Sequence, residues 1–209
     1  MQPSDKANNK LNVDDIEIHS KQTVFKGFFE MVKYRFKHRL FEGGWSHVIE
    51  REMFVRSEAA AMLPYDPIRD QVVLIEQIRV GALEHANPWQ IEIVAGIVDK
   101  DESVEELVRR ESEEEAGVTV DKLAYITSYY PSSGGCNEKI ALFVGKVDAS
   151  LADGVHGLES EGEDIRVSVV SREQAYQLVE SGVIENGASI MALQWLQLNY
   201  NRLQQEWQQ

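Results

Sequence analysis

The sequence predicts a mixed α/β or α+β layered fold, and three observations carry that prediction. Apolar, strand-like runs alternate irregularly with helical stretches, without a strict strand–helix repeat. From Ile16 to about Val55, short segments such as "TVFKGFFEMVKYRF" and "WSHVIEREMFVR" mix β-branched, aromatic and charged residues, as a small antiparallel sheet does. The chain closes with two segments that carry helix-capping and helical-spacing signals.

Taken in order, residues 1 to about 15 are polar and expected to be disordered. Gly43-Gly44 supplies a turn within the first sheet. "AAAMLPYD" and "QVVLIEQIRV" read as core strands separated by a turn over residues 66–70, and "WQIEIVAGIV" follows. An acidic stretch comes next, then strands in "LAYITSYY" and "KIALFVGKVD" around a Ser/Gly loop, and another in "EDIRVSVVS". Ser171 with Gln174 three residues on forms a capping box for a helix that Ser181-Gly182 ends. A last helix is expected from about Ser189, with Ile190, Leu193, Leu196, Tyr200, Leu203 and Trp207 on one apolar stripe that reads as core.

Composition narrows the function. The formal net charge of -14 disfavours a nucleic-acid backbone as partner, and an anionic substrate would need cations to mediate. No apolar run reaches the roughly 20 residues that span a bilayer, and "MQPSDKANNKLN" lacks the apolar core of a signal peptide. Cys136 is the single cysteine, so no intrachain disulfide can form, and a reducing, cytoplasmic setting is expected. Cys136 reads as structural, and the five histidines show no metal-ligand spacing. Trp89, after Pro88, is expected to pack rather than to stack on a ligand.

The segment "GIVDKDESVEELVRRESEEEAGV" concentrates carboxylates between two glycines. Ser103 and Glu106 form a capping box, Val104, Leu107 and Val108 a narrow apolar face, and Gly117 a left-handed stop. Glu111 and Glu115, four residues apart, stand on one face and repel each other. They also lie in the last turns, where the helix dipole disfavours anions. Each effect costs about a few tenths of a kcal/mol, and a hard cation such as Mg²⁺ or Mn²⁺ would reverse both. On these residues alone, a metal-holding device and a solvated acidic face both stand.

The spacing carries a resemblance. Gly96, five residues, Glu102, seven residues, Arg110-Glu111, two residues, Glu114-Glu115, one residue, Gly117 and Val118 together resemble the Nudix box. Ser112 departs from it, standing where that family usually has an aliphatic residue or alanine, and is expected to fit because it is small. The resemblance extends to "VVLIEQIRV", "SSGGCNE", "HGLESEGEDIRV" and "ALQWLQLNY", which look like the bacterial ADP-ribose pyrophosphatases of that family, from about Val24 onward.

This resemblance implies an α/β/α Nudix sandwich over 57–209, with an N-terminal antiparallel β-extension over 1–56 that contributes to a homodimer sharing its active site. It implies hydrolysis of ADP-ribose to AMP and ribose 5-phosphate with Mg²⁺, or Mn²⁺, at roughly two or three ions per site. Carried over residue by residue, Glu111, Glu115, Glu163 and the Ala95 carbonyl match metal ligands, and Glu161 the catalytic base. Arg110 is grouped with the catalytic residues, and Arg79 matches a phosphate contact. Phe28, Phe29, Arg51, Glu52 and Arg56 fall on the adenosine-binding surface. Ile97, Ser132, Ser133, Gly134 and Glu138 fall on substrate contacts around the ribose. The loop holding Gly157 and Gly162 is expected to close on substrate, bringing Glu161 and Glu163 in together.

One departure bears on the substrate: Ser133 stands sixteen residues beyond Gly117, where ADP-ribose-type members usually carry proline, and Pro131 lies two residues earlier. Hydrolysis of another nucleoside-diphosphate sugar such as GDP-mannose is therefore an alternative. A non-enzymatic ADP-ribose-binding module is another, which the intact Arg110, Glu111, Glu114 and Glu115 disfavour.

Overall fold

A computed structural model describes residues 11–98 and 101–207, apart from the side chain of Glu161. The chain divides into two units: one runs up to Arg56 and takes in Ser132–Glu138, and the other comprises Ser57–Pro131 and the chain from Lys139 onward.

The first unit is an antiparallel meander of β1 (Ile16–Lys26), β2 (Glu30–His38) and β3 (Ile49–Val55), in that order. Residues 1–10 lie outside the described residues, but residues 13–15, expected to be disordered, form a 3-10 turn. The Asn12 side chain accepts from Asp14 N–H while Asp15 accepts from Asn12 N–H, so local capping replaces disorder. Gly43 and Gly44, at φ 92° and 81°, turn the chain between β2 and β3 as expected. A second turn, at Gly27–Phe29, divides what reads as one continuous segment. Every residue of β1 is exposed, and Val32 is the one buried hydrophobic side chain among the described residues of this sheet. The 132–138 segment joins β3 through Phe54 N–H to the Gly135 carbonyl (2.8 Å) and Arg56 N–H to Asn137 Oδ1 (2.7 Å).

The second unit contains β4 (Ala59–Asp66), β5 (Gln71–Ile78), β6 (Trp89–Glu92), β7 (Val94–Ile97), α1 (Val104–Ala116), β8 (Lys122–Tyr129), β9 (Ile140–Lys146), β10 (Val155–His156), β11 (Ile165–Ser171), α2 (Arg172–Glu180) and α3 (Gly187–Trp207). The sheet order is β10-β11-β5-β4-β9-β8, with β6 paired to β5 and β7 to β4. Only β4–β9 is parallel, which makes the sheet mixed. All eight residues of β4 are buried, so its near-continuous apolar run reflects cover on both faces. Ala60, Met62, Val73 and Ile75 pack with Leu107 and Val108 of α1 on one face. Ala61, Leu63, Val72 and Leu74 pack with Ala175 of α2 and Leu193, Leu196, Leu203 and Trp207 of α3 on the other. The unit is the α/β/α layered arrangement that the sequence implied.

Two boundaries differ from the sequence reading. "WQIEIVAGIV" divides into β6 and β7 because Ile93 between them gives its N–H to Ser189 Oγ (3.0 Å). α3 begins two residues before Ser189, because Asn186 Oδ1 accepts the Ser189 N–H (3.1 Å) and caps the helix there. Among the described residues no helix is long and apolar enough to cross a membrane.

Candidate active site

The acidic helix is held at both ends by its own sequence. Ser103 Oγ accepts the Glu106 N–H (3.2 Å), and Glu106 Oε2 accepts the Ser103 N–H (2.8 Å), which is the expected capping box. Gly117 adopts φ 64° and donates to the Glu113 carbonyl (3.2 Å), ending α1 in the left-handed cap. Ser112, the departure from the motif, is fully buried and satisfies its hydroxyl on the Val108 carbonyl (2.6 Å) one turn back.

That helix sets Glu111 and Glu115 against β7. Glu111 lies directly on Gly96: a Cβ there would overlap the Glu111 carboxylate, so glycine is required for close approach rather than for a turn. Glu115 is 3% exposed and accepts the Ala95 N–H at 3.0 Å. Burial pushes its carboxyl up to about 8, against the pull of the Ala95 N–H, and nearby Glu111 adds to the rise. Burial likewise pushes Glu111 up to about 6, with Arg110 opposing. Arg110 ties the cluster together, reaching Glu102 (2.9 Å), Glu111 (2.9 Å) and Glu114 (2.7 Å). The Glu102 contact foremost holds its guanidinium above the ordinary arginine range.

Arg79, just beyond β5, gives Nε (2.9 Å) and Nη2 (2.6 Å) to one oxygen of buried Glu92, whose other oxygen accepts from Asn186 Nδ2 (3.0 Å). Its charge is felt at Glu115. Glu163 also acts electrostatically on Glu111 and Glu115, so the second unit places Arg79, Glu111, Glu115 and Glu163 within one electrostatic neighbourhood. Glu163 Oε2 accepts the Leu158 N–H (3.0 Å), and Gly157 N–H ties the same loop to the Glu114 carbonyl of α1 (3.1 Å). Glu161 belongs to the 3-10 turn Glu159–Glu161, and its side chain lies outside the described residues. Ile97, 40% exposed, ends β7.

The donor types present suit a hard cation. Glu111, Glu115, Glu163 and the Ala95 carbonyl offer only oxygen donors. Buried Glu115 has no ion-pair partner among the described residues. Each carboxylate meanwhile rests on a protein donor, and among the described residues no three His, Cys, Asp or Glu side chains are grouped so as to hold a metal ion.

The first unit gathers the other expected residues. Phe28, 92% exposed, meets Phe29 edge to face with ring centroids 4.8 Å apart, and Phe29 meets Phe54 in the same way. The Arg56 guanidinium lies 5.2 Å over the Phe29 ring and pairs through Nε with Glu138 (2.9 Å). Arg51 and Glu52 are exposed on β3, Arg51 donating to the Glu50 carbonyl (2.7 Å). Ser132, Ser133 and Gly134 form an exposed turn closed by Gly135 N–H on the Ser132 carbonyl (3.1 Å). The turn therefore forms with Ser133 where a proline was expected.

Sequence reasoning missed Phe54 and Glu92. Alternation along β3 puts Phe54 on the face of Glu52 and Arg56, both already expected at the site, and a buried glutamate in an apolar strand is itself a signal for an arginine partner. Trp89 is corrected: it is 51% exposed, and it lines a cleft with Glu76, Asn87, Val155, Asp164 and Arg166 instead of packing.

Comparison with known proteins adds to this geometry. The NUDIX domain family matches residues 55–193. The chain is 53% identical over 195 residues to an ADP-ribose pyrophosphatase of Escherichia coli (strain K12), covering 93% of each. It is 50% identical over 197 residues to an ADP-ribose pyrophosphatase of Haemophilus influenzae, covering 92% of this chain and 91% of that one. A solved ADP compounds hydrolase superposes with a TM-score of 0.68 over 91% of this chain and 98% of its own, and at 20% identity it supports the fold alone.

Proposed function

This chain belongs to the Nudix family, and from that premise we propose that it is a hydrolase of the ADP-ribose diphosphate, releasing AMP and ribose 5-phosphate. The observation that carries the reading is Glu115, a buried carboxyl beside Glu111 that makes no ion pair among the described residues. The substrate rests on the likeness to ADP-ribose pyrophosphatases, which spans nearly the whole chain.

Glu111, Glu115, Glu163 and the Ala95 carbonyl would hold Mg²⁺, or Mn²⁺, at roughly two or three ions per site. When bound, such cations offset the diphosphate charge and lower the pKa of the attacking water. The Glu161 carboxylate takes the proton of that water as general base. Arg79 meets a phosphate oxygen: Glu92 engages its Nε and Nη2, and its Nη1 has no partner among the described residues. Arg110 acts as a positioning residue, because the three carboxylates around it fix where Glu111 stands. Phe28, Phe29, Arg51, Glu52 and Arg56 bind the adenosine, the phenylalanines offering stacking faces. Ile97, Ser132, Ser133, Gly134 and Glu138 contact the ribose side.

We also propose a cytoplasmic homodimer built through the N-terminal β-extension. The lone cysteine supports the compartment. The exposed Ile16, Ile18, Val24 and Phe25 of β1 support a covering subunit. Sedimentation of the purified chain at twice the monomer mass is the expected result, and a monomer at assay concentration would rule the dimer out.

The deciding experiment measures hydrolysis of ADP-ribose beside GDP-mannose, other nucleotide sugars and a diadenosine polyphosphate, with Mg²⁺, Mn²⁺ and EDTA. ADP-ribose is expected to be preferred and EDTA to abolish turnover. A preference for GDP-mannose would keep the reaction and move the substrate, pointing to the Ser133 turn. No cleavage with any metal would replace the enzyme by a binding module.

A further inference from the structure

Gln77 lies on β5, 6% exposed, and its Nε2 is buried without a hydrogen-bond partner. Among the described residues it is the one side chain in that condition. A buried amide donor without an acceptor carries the full cost of its lost hydration, and such groups in a folded protein call for a specific explanation.

Strand alternation says where the amide lies. Val73 and Ile75 of β5 pack with α1, so Gln77, two residues on, shares that face. Its cross-strand neighbour on β6 is Gln90, and Ile75 stands opposite Glu92, the partner of Arg79. On its other side β11 opens with Ile165, two residues after Glu163. Gln77 therefore stands on the sheet face that carries Arg79 and Glu92, near the start of the strand that follows the Glu163 loop. Gln90 uses its own amide on the Asn87 carbonyl (2.6 Å).

We propose that Gln77 is a further substrate-binding residue, its side chain turning on binding so that Nε2, closed to solvent in the unliganded protein, donates to a non-bridging phosphate oxygen of the bound diphosphate beside Arg79. The inference rests on the reading of this site as a diphosphate hydrolase. The chemistry follows from the donor type: the amide needs an acceptor, and the anion that Arg79 is placed to meet brings several. Supplying that acceptor only on binding makes the unmet hydrogen bond a source of affinity for phosphate over a ligand without one.

The test compares the full-length protein with Gln77→Met, which keeps volume and removes the amide. Affinity for the non-hydrolysable methylene-bridged analogue of ADP-ribose is measured calorimetrically with Mg²⁺, together with the melting temperature of the unliganded proteins. The variant is expected to bind the analogue roughly ten- to hundredfold more weakly, with a melting temperature equal to or above that of the wild type. Unchanged affinity overturns the proposal, and so does a melting temperature lowered by many degrees, which would show that Gln77 has a structural partner. In the wild-type protein, the Gln77 side-chain amide resonance is expected to move on adding the analogue, and a static resonance would count against the role even if Gln77→Met failed to fold. Wild-type hydrolysis of ADP-ribose is assayed in parallel. Its absence would overturn the function reading, whereas normal hydrolysis with unchanged variant affinity would overturn only the role of Gln77.

Discussion

Glu115 and Gly96 separate catalysis from folding at the scale of single residues. Glu115→Gln replaces a buried carboxyl, pushed up to about 8, that takes one backbone donor and makes no ion pair among the described residues. Turnover is expected to fall by roughly two to four orders of magnitude, while the melting temperature in EDTA stays level or rises, because a neutral amide is easier to bury. A variant that unfolds would show that the carboxylate is structural. Gly96→Ala drives a methyl into the Glu111 carboxylate. A loss of about 1–3 kcal/mol in unfolding free energy is expected from overpacking, with activity lost in excess of it because Glu111 is displaced. Ser112→Ala, which trades a buried, back-bonded hydroxyl for the residue usual in the motif, should change urea stability by less than about 1 kcal/mol.

Among the elements, α1 and the loop after β10 matter most. Ser103→Ala removes the hydroxyl half of the α1 capping box, leaving the backbone N–H at 103 on Glu106, and is expected to cost about 1 kcal/mol in chemical denaturation. A cost near zero would mean that tertiary packing alone holds the helix start. The loop over 154–165 is tied to α1 by Gly157 N–H and turns through Gly157 and Gly162 at φ 99° and 73°. If it closes to bring Glu161 and Glu163 to the substrate, its amides gain exchange protection when analogue and metal are added. No gain in that segment would count against closure. α1 itself was legible from the sequence to its caps, because Ser103, Glu106 and Gly117 act locally. The division of "WQIEIVAGIV" was not legible, since it depends on Ser189, remote in the chain, taking the Ile93 N–H.

At the scale of the whole molecule, stability depends on contacts between distant parts of the second unit, and Asp66 is one of them. It is 1% exposed at the end of β4 and accepts from the Arg69 side chain (2.8 Å) and from Ala149 N–H (3.0 Å). Burial pushes its carboxyl up, but these donors outweigh burial and hold it below the ordinary aspartate range. A depressed folded value means that the contribution is full above the unfolded-state pKa near 4 and is lost as pH falls through the folded one. Asp66→Asn is therefore expected to destabilise by about 1–3 kcal/mol at pH 7, the gap closing as pH falls below the ordinary aspartate range. A gap independent of pH in urea titrations would show that the charge is not what matters.

By itself the sequence determined the family's box, the caps of α1 and α2, the core strands and the antiparallel character of the first sheet. Each is written in residues close along the chain, where spacing, periodicity and capping act. The carboxylates carried over from the resemblance could be named from their place in the motif, but not their surroundings. Only tertiary structure decided that Gly96 is bare because Glu111 lies on it, and that Arg79 spends two of its donors on Glu92. It also decided that Ser112 is tolerated because Val108 takes its hydroxyl, that Trp89 is exposed, and that Gln77 is buried with nothing to bond. Burial and electrostatic environment are properties of what surrounds a side chain in space, and those neighbours come from strands and helices far away in the chain.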